Sequence, residues 1–131
     1  MTQQAEAEAP SLFVQAGGMR FFEALVGRFY AAVAGDPILR PLYPEAALAP
    51  AQHRLTLFLA QYWGGPTTYD QERGHPRLRM RHAPVAIGPI ERDRWLLHMR
   101  ASIESSGAEA SVRSRLHDYV TAAAEAMRNR P

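Results

Sequence analysis

The residues best suited to chemistry lie between Gly74 and Pro84, in the run Gly-His-Pro-Arg-Leu-Arg-Met-Arg-His-Ala-Pro. It ends near an imidazole, His82, and sets apolar Leu78 and Met80 among Arg77, Arg79 and Arg81. An imidazole can hold haem iron through one ring nitrogen, and arginine pairs with carboxylates. Together these side chains suit a flat, apolar, iron-bearing ligand with carboxylates at its edge. Of the five histidines, His53 falls off the apolar face of its helix, and His98 and His117 sit in amphipathic helices, where surface or packing roles are ordinary. His75 precedes Pro76, which confines it to extended backbone; it suits fixing the loop or reaching a ligand carboxylate. Met80 is an iron ligand in principle, but it stands too close to His82 for the two to serve on opposite faces.

Composition narrows the chemistry. The chain has 131 residues, 47% of them hydrophobic and 21% charged, enough apolar material for one core. Cysteine is absent, so disulfides, iron–sulfur clusters, thiol catalysis and thiolate haem ligation are excluded. All 15 basic residues are arginine, but 13 acidic residues are interspersed and the net charge is +2. There is no long basic block, which argues against nucleic acid. The start of the chain is polar and acidic, and no apolar run approaches membrane-spanning length; the expectation is a soluble cytoplasmic protein without a membrane partner. The surface pattern is compatible with a monomer or an oligomer.

The elements that must position these residues read as helices. Residues 1–10 form a disordered leader and 11–131 a single domain. Ser11 to Gln15 is a short apolar turn broken by Gly17-Gly18. A helix then runs from Met19 to Ala34 with Phe22, Leu25, Val26, Phe29, Tyr30 and Val33 at helical spacing. Asp36-Pro37 caps a very short helix contained by Pro41 and Pro44. Pro50 opens a third helix to Trp63, which Gly64-Gly65-Pro66 stops. Residues 66–76 read as an extended loop, long for so small a domain, and Pro76 or Arg77 opens a turn carrying His82. Pro89 starts a helix to Ser105, with Trp95, Leu96, Met99 and Ile103 inward, and the last helix spans Ala108 to Arg128. No segment keeps a period of two, so the expected class is all-α.

The pair Gly17-Gly18, the runs Arg28-Phe29-Tyr30 and Leu42-Tyr43-Pro44, the block Phe58 to Pro66, the block Gly74 to Pro84 and the run Ile90 to Leu96 occur in this order. In these the chain resembles the truncated haemoglobins, specifically group II, the type called O, over roughly residues 11–128. The resemblance implies a two-over-two helical sandwich around one haem b, with His82 as the proximal iron ligand. It implies distal positions for Tyr30, Tyr43 and Trp95, a small distal residue at Ala51 and an apolar one at Leu55. Arg54 and Arg81 are then the best candidates to pair with haem propionates, with Arg77 and Arg79 behind them. Phe58, Tyr62, Leu78 and Met80 would wall the haem, and His75 would reach a propionate or fix its loop. Trp95 is expected both to fill distal volume and to donate its indole N–H to the ligand or to Tyr43.

Two haem functions follow from that expectation, and one reading without haem. The first is reversible binding of dioxygen, and of nitric oxide or carbon monoxide, with release slowed by the Tyr–Tyr–Trp donors; slow release fits storage, sensing or redox chemistry better than bulk transport. The second is an enzyme, a nitric oxide dioxygenase or a peroxidase, which needs an external electron donor such as a flavoprotein reductase because 131 residues hold no reductase domain. The third is a haem-free helical module whose basic 73–82 stretch meets an acidic partner.

Overall fold

The computed structural model describes residues 10–131; all but the last residue of the expected leader lies outside them. Seven α-helices form among the described residues: α1 (Leu12–Ala16), α2 (Met19–Ala34), α3 (Ala49–Tyr62), α4 (Thr68–Arg73), α5 (Leu78–His82), α6 (Pro89–Glu104) and α7 (Ala110–Met127). A single 3-10 turn, Arg40–Leu42, stands between α2 and α3.

The helix α2 is the centre of the molecule. Its positions 22, 25, 26, 29, 30 and 33 follow the three-and-four spacing that collects side chains on one face, and all six are buried. That face packs on α6 and on α3, and α6 in turn packs on α7. The result is an all-α, two-over-two arrangement of helix pairs. Phe22, Phe29, Met99 and Ile103 are completely withdrawn from solvent; burying each stabilises the fold by about 1.5–3 kcal/mol.

Local signals explain where the helices begin and end. The Ser11 side chain accepts from the Val14 amide at 3.3 Å and so caps α1. Pro89 stands in the first turn of α6, and Glu91 Oε1 accepts from the Gly88 amide at 2.7 Å. Two glycines let α1 lie against the end of α3. A Cβ on Gly65 would fall 2.6 Å from the Phe13 ring and 2.8 Å from the Ala60 carbonyl oxygen. Gly64 has φ +102°, and a Cβ there would fall 2.6 Å from Ser11 Cβ.

One expectation about the chain is overturned. Residues 66–76 are not a continuous extended loop, because α4 occupies Thr68–Arg73. Its anchor is Tyr69, which is buried against Phe58 with ring centroids 5.5 Å apart. The Gln61 side chain also accepts from the Asp70 amide at 3.0 Å. The turn at Ser11 to Gln15 is likewise a true helix, tied to α3 by Phe13 N donating to the Trp63 carbonyl at 3.0 Å. No helix among the described residues is long and apolar enough to cross a membrane.

Candidate functional site

A cavity of about 540 Å³ lies between the helix pairs and is closed on one side by α4 and α5. That volume falls in the range of about 300–1,000 Å³ usual for organic ligands and cofactors. Apolar side chains make most of its wall, among them Leu42, Leu55, Leu59, Val85, Ile87 and Met127. Charged groups, Glu45, Arg54, Arg73, Arg81, Glu91 and Arg92, complete the lining.

His82 reaches this cavity from the last residue of α5. Its Nδ1 stands 2.7 Å from the Leu78 carbonyl oxygen. A carbonyl only accepts, so Nδ1 carries a proton, and the neutral form of the ring has its lone pair on Nε2. No described residue takes Nε2. Leu78, Arg81 and His82 share a helical face at spacings of three and four, and all three line the cavity.

Three further side chains join the cavity from separate elements: Tyr30 from α2, Tyr43 from the end of the 3-10 turn and Trp95 from α6. They form one aromatic chain. Trp95 meets Phe29 at 5.4 Å between centroids, Phe29 meets Tyr30 at 5.0 Å, and Tyr30 meets Tyr43 edge-on at 5.5 Å. Burial, and then the neighbouring Tyr43, push the Tyr30 hydroxyl well above the ordinary tyrosine range. Burial also raises that of Tyr43. Both are therefore neutral O–H donors at ordinary pH. Among the described residues the Trp95 indole N–H makes no bond to Tyr43, one of the two acceptors expected for it beside the ligand, and its ring packs on Phe29.

Ala51 and Leu55 line the cavity from α3, with Phe58 and Leu59 one turn on. The small side chain of Ala51 is buried and lines the same cavity as Tyr30 and Tyr43. Arg54 also lines the cavity, but its guanidinium is paired with Glu45 at 3.0 Å. Glu45 is held below the usual carboxylate range by its own backbone amide and by Arg54, and its second oxygen is buried without a partner. Arg81 spends its donors on the preceding loop: Nε bonds the Pro76 carbonyl at 2.6 Å and one terminal nitrogen the Arg73 carbonyl at 2.9 Å.

Five expected residues lie elsewhere. Met80 is 61% exposed, because it occupies the face of α5 opposite the one shared by Leu78, Arg81 and His82. Tyr62 is 52% exposed and stacks at 4.1 Å on the outer side of Tyr119, which itself lines the cavity. His75 is exposed, and its Nδ1 accepts from the Arg77 amide at 3.3 Å, so it braces the loop and does not touch the cavity. Arg77 and Arg79 are exposed and do not line it either.

Several contributors escaped the sequence reading. Tyr69 falls in a segment whose turn formers read as loop, although Asp70 in the first turn, Arg73 in the last and Gly74 beyond are ordinary helix signals. Tyr119, raised to about 12 by burial and by Tyr62, sits on a face that periodicity assigns to plain core. Asn129 carries no local signal. Its Oδ1 accepts from the Ile87 amide at 2.8 Å, while Nδ2 donates to the Val85 carbonyl at 2.8 Å and the His82 carbonyl at 3.3 Å. It thereby staples the segment that leaves His82.

The chain matches the family "Bacterial-like globin" over residues 11–129. It is 36% identical to "Group 2 truncated hemoglobin YjbI" of Bacillus subtilis over 115 residues, 88% of this chain and 86% of that protein. The thermostable hemoglobin of Thermobifida fusca superposes with a TM-score of 0.91 at 53% identity, over 93% of this chain and 99% of that one. The group II truncated hemoglobin of Bacillus anthracis superposes at 0.90 with 34% identity, over 95% of each chain. A two-over-two helical sandwich enclosing a cavity with one oriented imidazole defines a globin of the truncated type. The chain belongs to the bacterial-like globins and, within them, to the group II truncated haemoglobins.

Membership makes haem its cofactor and binding of ligands at haem its coarse function. The residues present fit that group. A large apolar cavity, a fixed imidazole with a free Nε2 and arginines along the lining are what a carboxylate-edged macrocycle needs. Among the described residues no cluster of three or more metal-ligating side chains competes for a bare ion.

Proposed function

We propose that the protein binds dioxygen, and also nitric oxide and carbon monoxide, at a haem b held by His82, and that it releases dioxygen slowly. The observation that carries this reading is the aromatic chain Trp95–Phe29–Tyr30–Tyr43, which brings two neutral hydroxyls and an indole N–H to one cavity. When bound, haem supplies an iron that takes a small diatomic gas.

The remaining work falls to side chains. Leu78 fixes the proton of His82 on Nδ1, so the ring presents Nε2 in one orientation. Leu42, Leu55 and Leu59 keep water from the cavity, which strengthens hydrogen bonds made inside it. Tyr30 and Tyr43 stay protonated and donate to a polar diatomic ligand; Trp95 supplies a third N–H. Arg54 is the cavity-lining cation best placed to pair with a propionate, exchanging Glu45 for it.

An absorption spectrum of the ferric, dithionite-reduced and oxygenated protein, followed by dioxygen displacement with carbon monoxide, tests the reading. A Soret band, a stable oxygenated form and slow displacement support it. Displacement as fast as in variants lacking the tyrosines would refute slow release by these donors.

A further inference from the structure

The segment that carries Tyr43 is bonded by a residue outside the cavity, Arg40. Tyr43 follows the 3-10 turn in extended backbone, φ −105° and ψ 108°, and residues 43–48 form no regular helix before α3 begins. Carbonyls in such a segment find no partner from secondary structure, and a segment so placed is mobile unless side chains hold it.

Arg40 supplies that hold. One terminal nitrogen of its guanidinium donates to the Tyr43 carbonyl at 2.9 Å. The other donates to the Glu45 carbonyl at 2.9 Å and the Ala46 carbonyl at 3.0 Å. Arg40 also accepts the Tyr43 amide on its own carbonyl at 3.2 Å. The planar fork thus spans three carbonyls in four residues, a task that a lysine ammonium on a flexible stem does less well.

The base of Arg40 is itself fixed. Its amide donates to the Asp36 carbonyl at 2.9 Å. The Asp36 carboxylate is almost wholly buried and accepts from the Ile38 and Leu39 amides, from Arg94 Nε at 3.0 Å and from His98 Nε2 at 2.6 Å. Arg94 and His98 lie on α6, beside Trp95. A continuous polar scaffold therefore runs from the helix that carries Trp95, through Asp36 and Arg40, to the segment that carries Tyr43.

We infer that Arg40 is the positioning residue of the distal site: by clamping the carbonyls of Tyr43, Glu45 and Ala46 it sets where the Tyr43 hydroxyl stands. The inference rests on the reading of Tyr43 as a donor to the bound gas.

The experiment uses haem-loaded protein labelled with 3-fluorotyrosine, studied as the ferrous carbon monoxide form by fluorine NMR, with the Tyr43 signal assigned by Tyr43→Phe. Arg40→Met, which keeps length but no donors, is expected to shift or broaden the Tyr43 signal while that of Tyr119 stays in place. It is also expected to speed dioxygen release several-fold in the wild-type background and to add nothing in the Tyr43→Phe background. Arg40→Lys is expected to fall between, and it carries the test should Arg40→Met not fold.

An unchanged Tyr43 signal in both Arg40 variants would overturn the inference. So would an acceleration of release that persists undiminished alongside Tyr43→Phe. If Tyr43→Phe alone leaves release unchanged, the donor reading of Tyr43 fails. The fluorine signal still decides whether Arg40 places that ring.

Discussion

The Nδ1 atom of His82 lies 2.7 Å from the carbonyl oxygen of Leu78, one helical turn earlier in the same short helix. This bond fixes both the tautomer and the plane of the ring, and it is made within a five-residue segment. The imidazole is thus oriented locally and needs no distant carboxylate to present Nε2.

His82→Ala should therefore lose stable haem attachment, and His75→Ala should keep it, since the only hydrogen bond of the His75 side chain among the described residues is to the Arg77 amide. Haem content after purification and the rate of haem transfer to an excess of apomyoglobin distinguish the two. Wild-type retention by His82→Ala would move the ligand assignment to another residue.

Replacing Tyr30 by Phe removes one donor from a buried, neutral hydroxyl and leaves its packing on Phe29 and Tyr43 in place. A hydrogen bond to a charged acceptor contributes roughly 1.5–3 kcal/mol, so dioxygen release should accelerate roughly tenfold to a hundredfold. Trp95→Phe should accelerate it less, because part of what is lost is contact with Phe29. Stopped-flow displacement by carbon monoxide reads both rates, and equality of both with wild type would reduce these residues to packing.

Much of this arrangement is legible in the chain. The period of α2 and the prolines opening α3 and α6 give those helices to within a residue, because local propensity, capping and burial agree there. The motif around His82 gives the imidazole. What periodicity does not give is which face of a five-residue helix looks inward, and so the sequence pairs Met80 with Leu78 although Met80 points to solvent. Tyr62 fails similarly: it continues the stripe of α3, but Tyr119 of α7 stands between it and the cavity. Asn129 and Arg40 are invisible for a different reason. They act by hydrogen bonds to backbone carbonyls, which carry no sequence of their own.

Gly65 marks a close approach of α1 to α3. A methyl group there would meet the Phe13 ring and the Ala60 carbonyl well inside contact distance. Gly65→Ala should destabilise by about 1–3 kcal/mol, the range for overpacking a close contact. Thermal unfolding of the haem-loaded protein checks this. An unchanged melting temperature would mean that α1 moves aside freely.

The Asp36 carboxyl is buried, and burial alone would raise it. His98, the Ile38 and Leu39 amides and Arg94 outweigh that and hold it well below the usual carboxylate range. A folded-state pKa below the unfolded value of about 3.9 adds stability that is complete above the unfolded value. That stability is lost as pH falls below it toward the folded one. Asp36→Asn should therefore lower the melting temperature at neutral pH and flatten its fall in acid. Parallel melting curves for the two proteins between neutrality and acid would show that Asp36 adds nothing.

Asn129 links the segment after His82 by three side-chain bonds, to the Ile87 amide and to the Val85 and His82 carbonyls. Neutral hydrogen bonds of this kind contribute about 0.5–1.5 kcal/mol each, and exposure at this position puts the sum near the low end. Asn129→Ala should thus cost about 1–2 kcal/mol of stability and speed haem loss several-fold, while dioxygen release stays at the wild-type rate because no distal residue is touched. Asn129→Asp keeps the acceptor for Ile87 but loses both donations, so it should fall between. Haem transfer to apomyoglobin, measured beside carbon monoxide displacement on the same samples, separates the two effects. A change in dioxygen release without faster haem loss would mean that Asn129 acts on the distal side and not through His82.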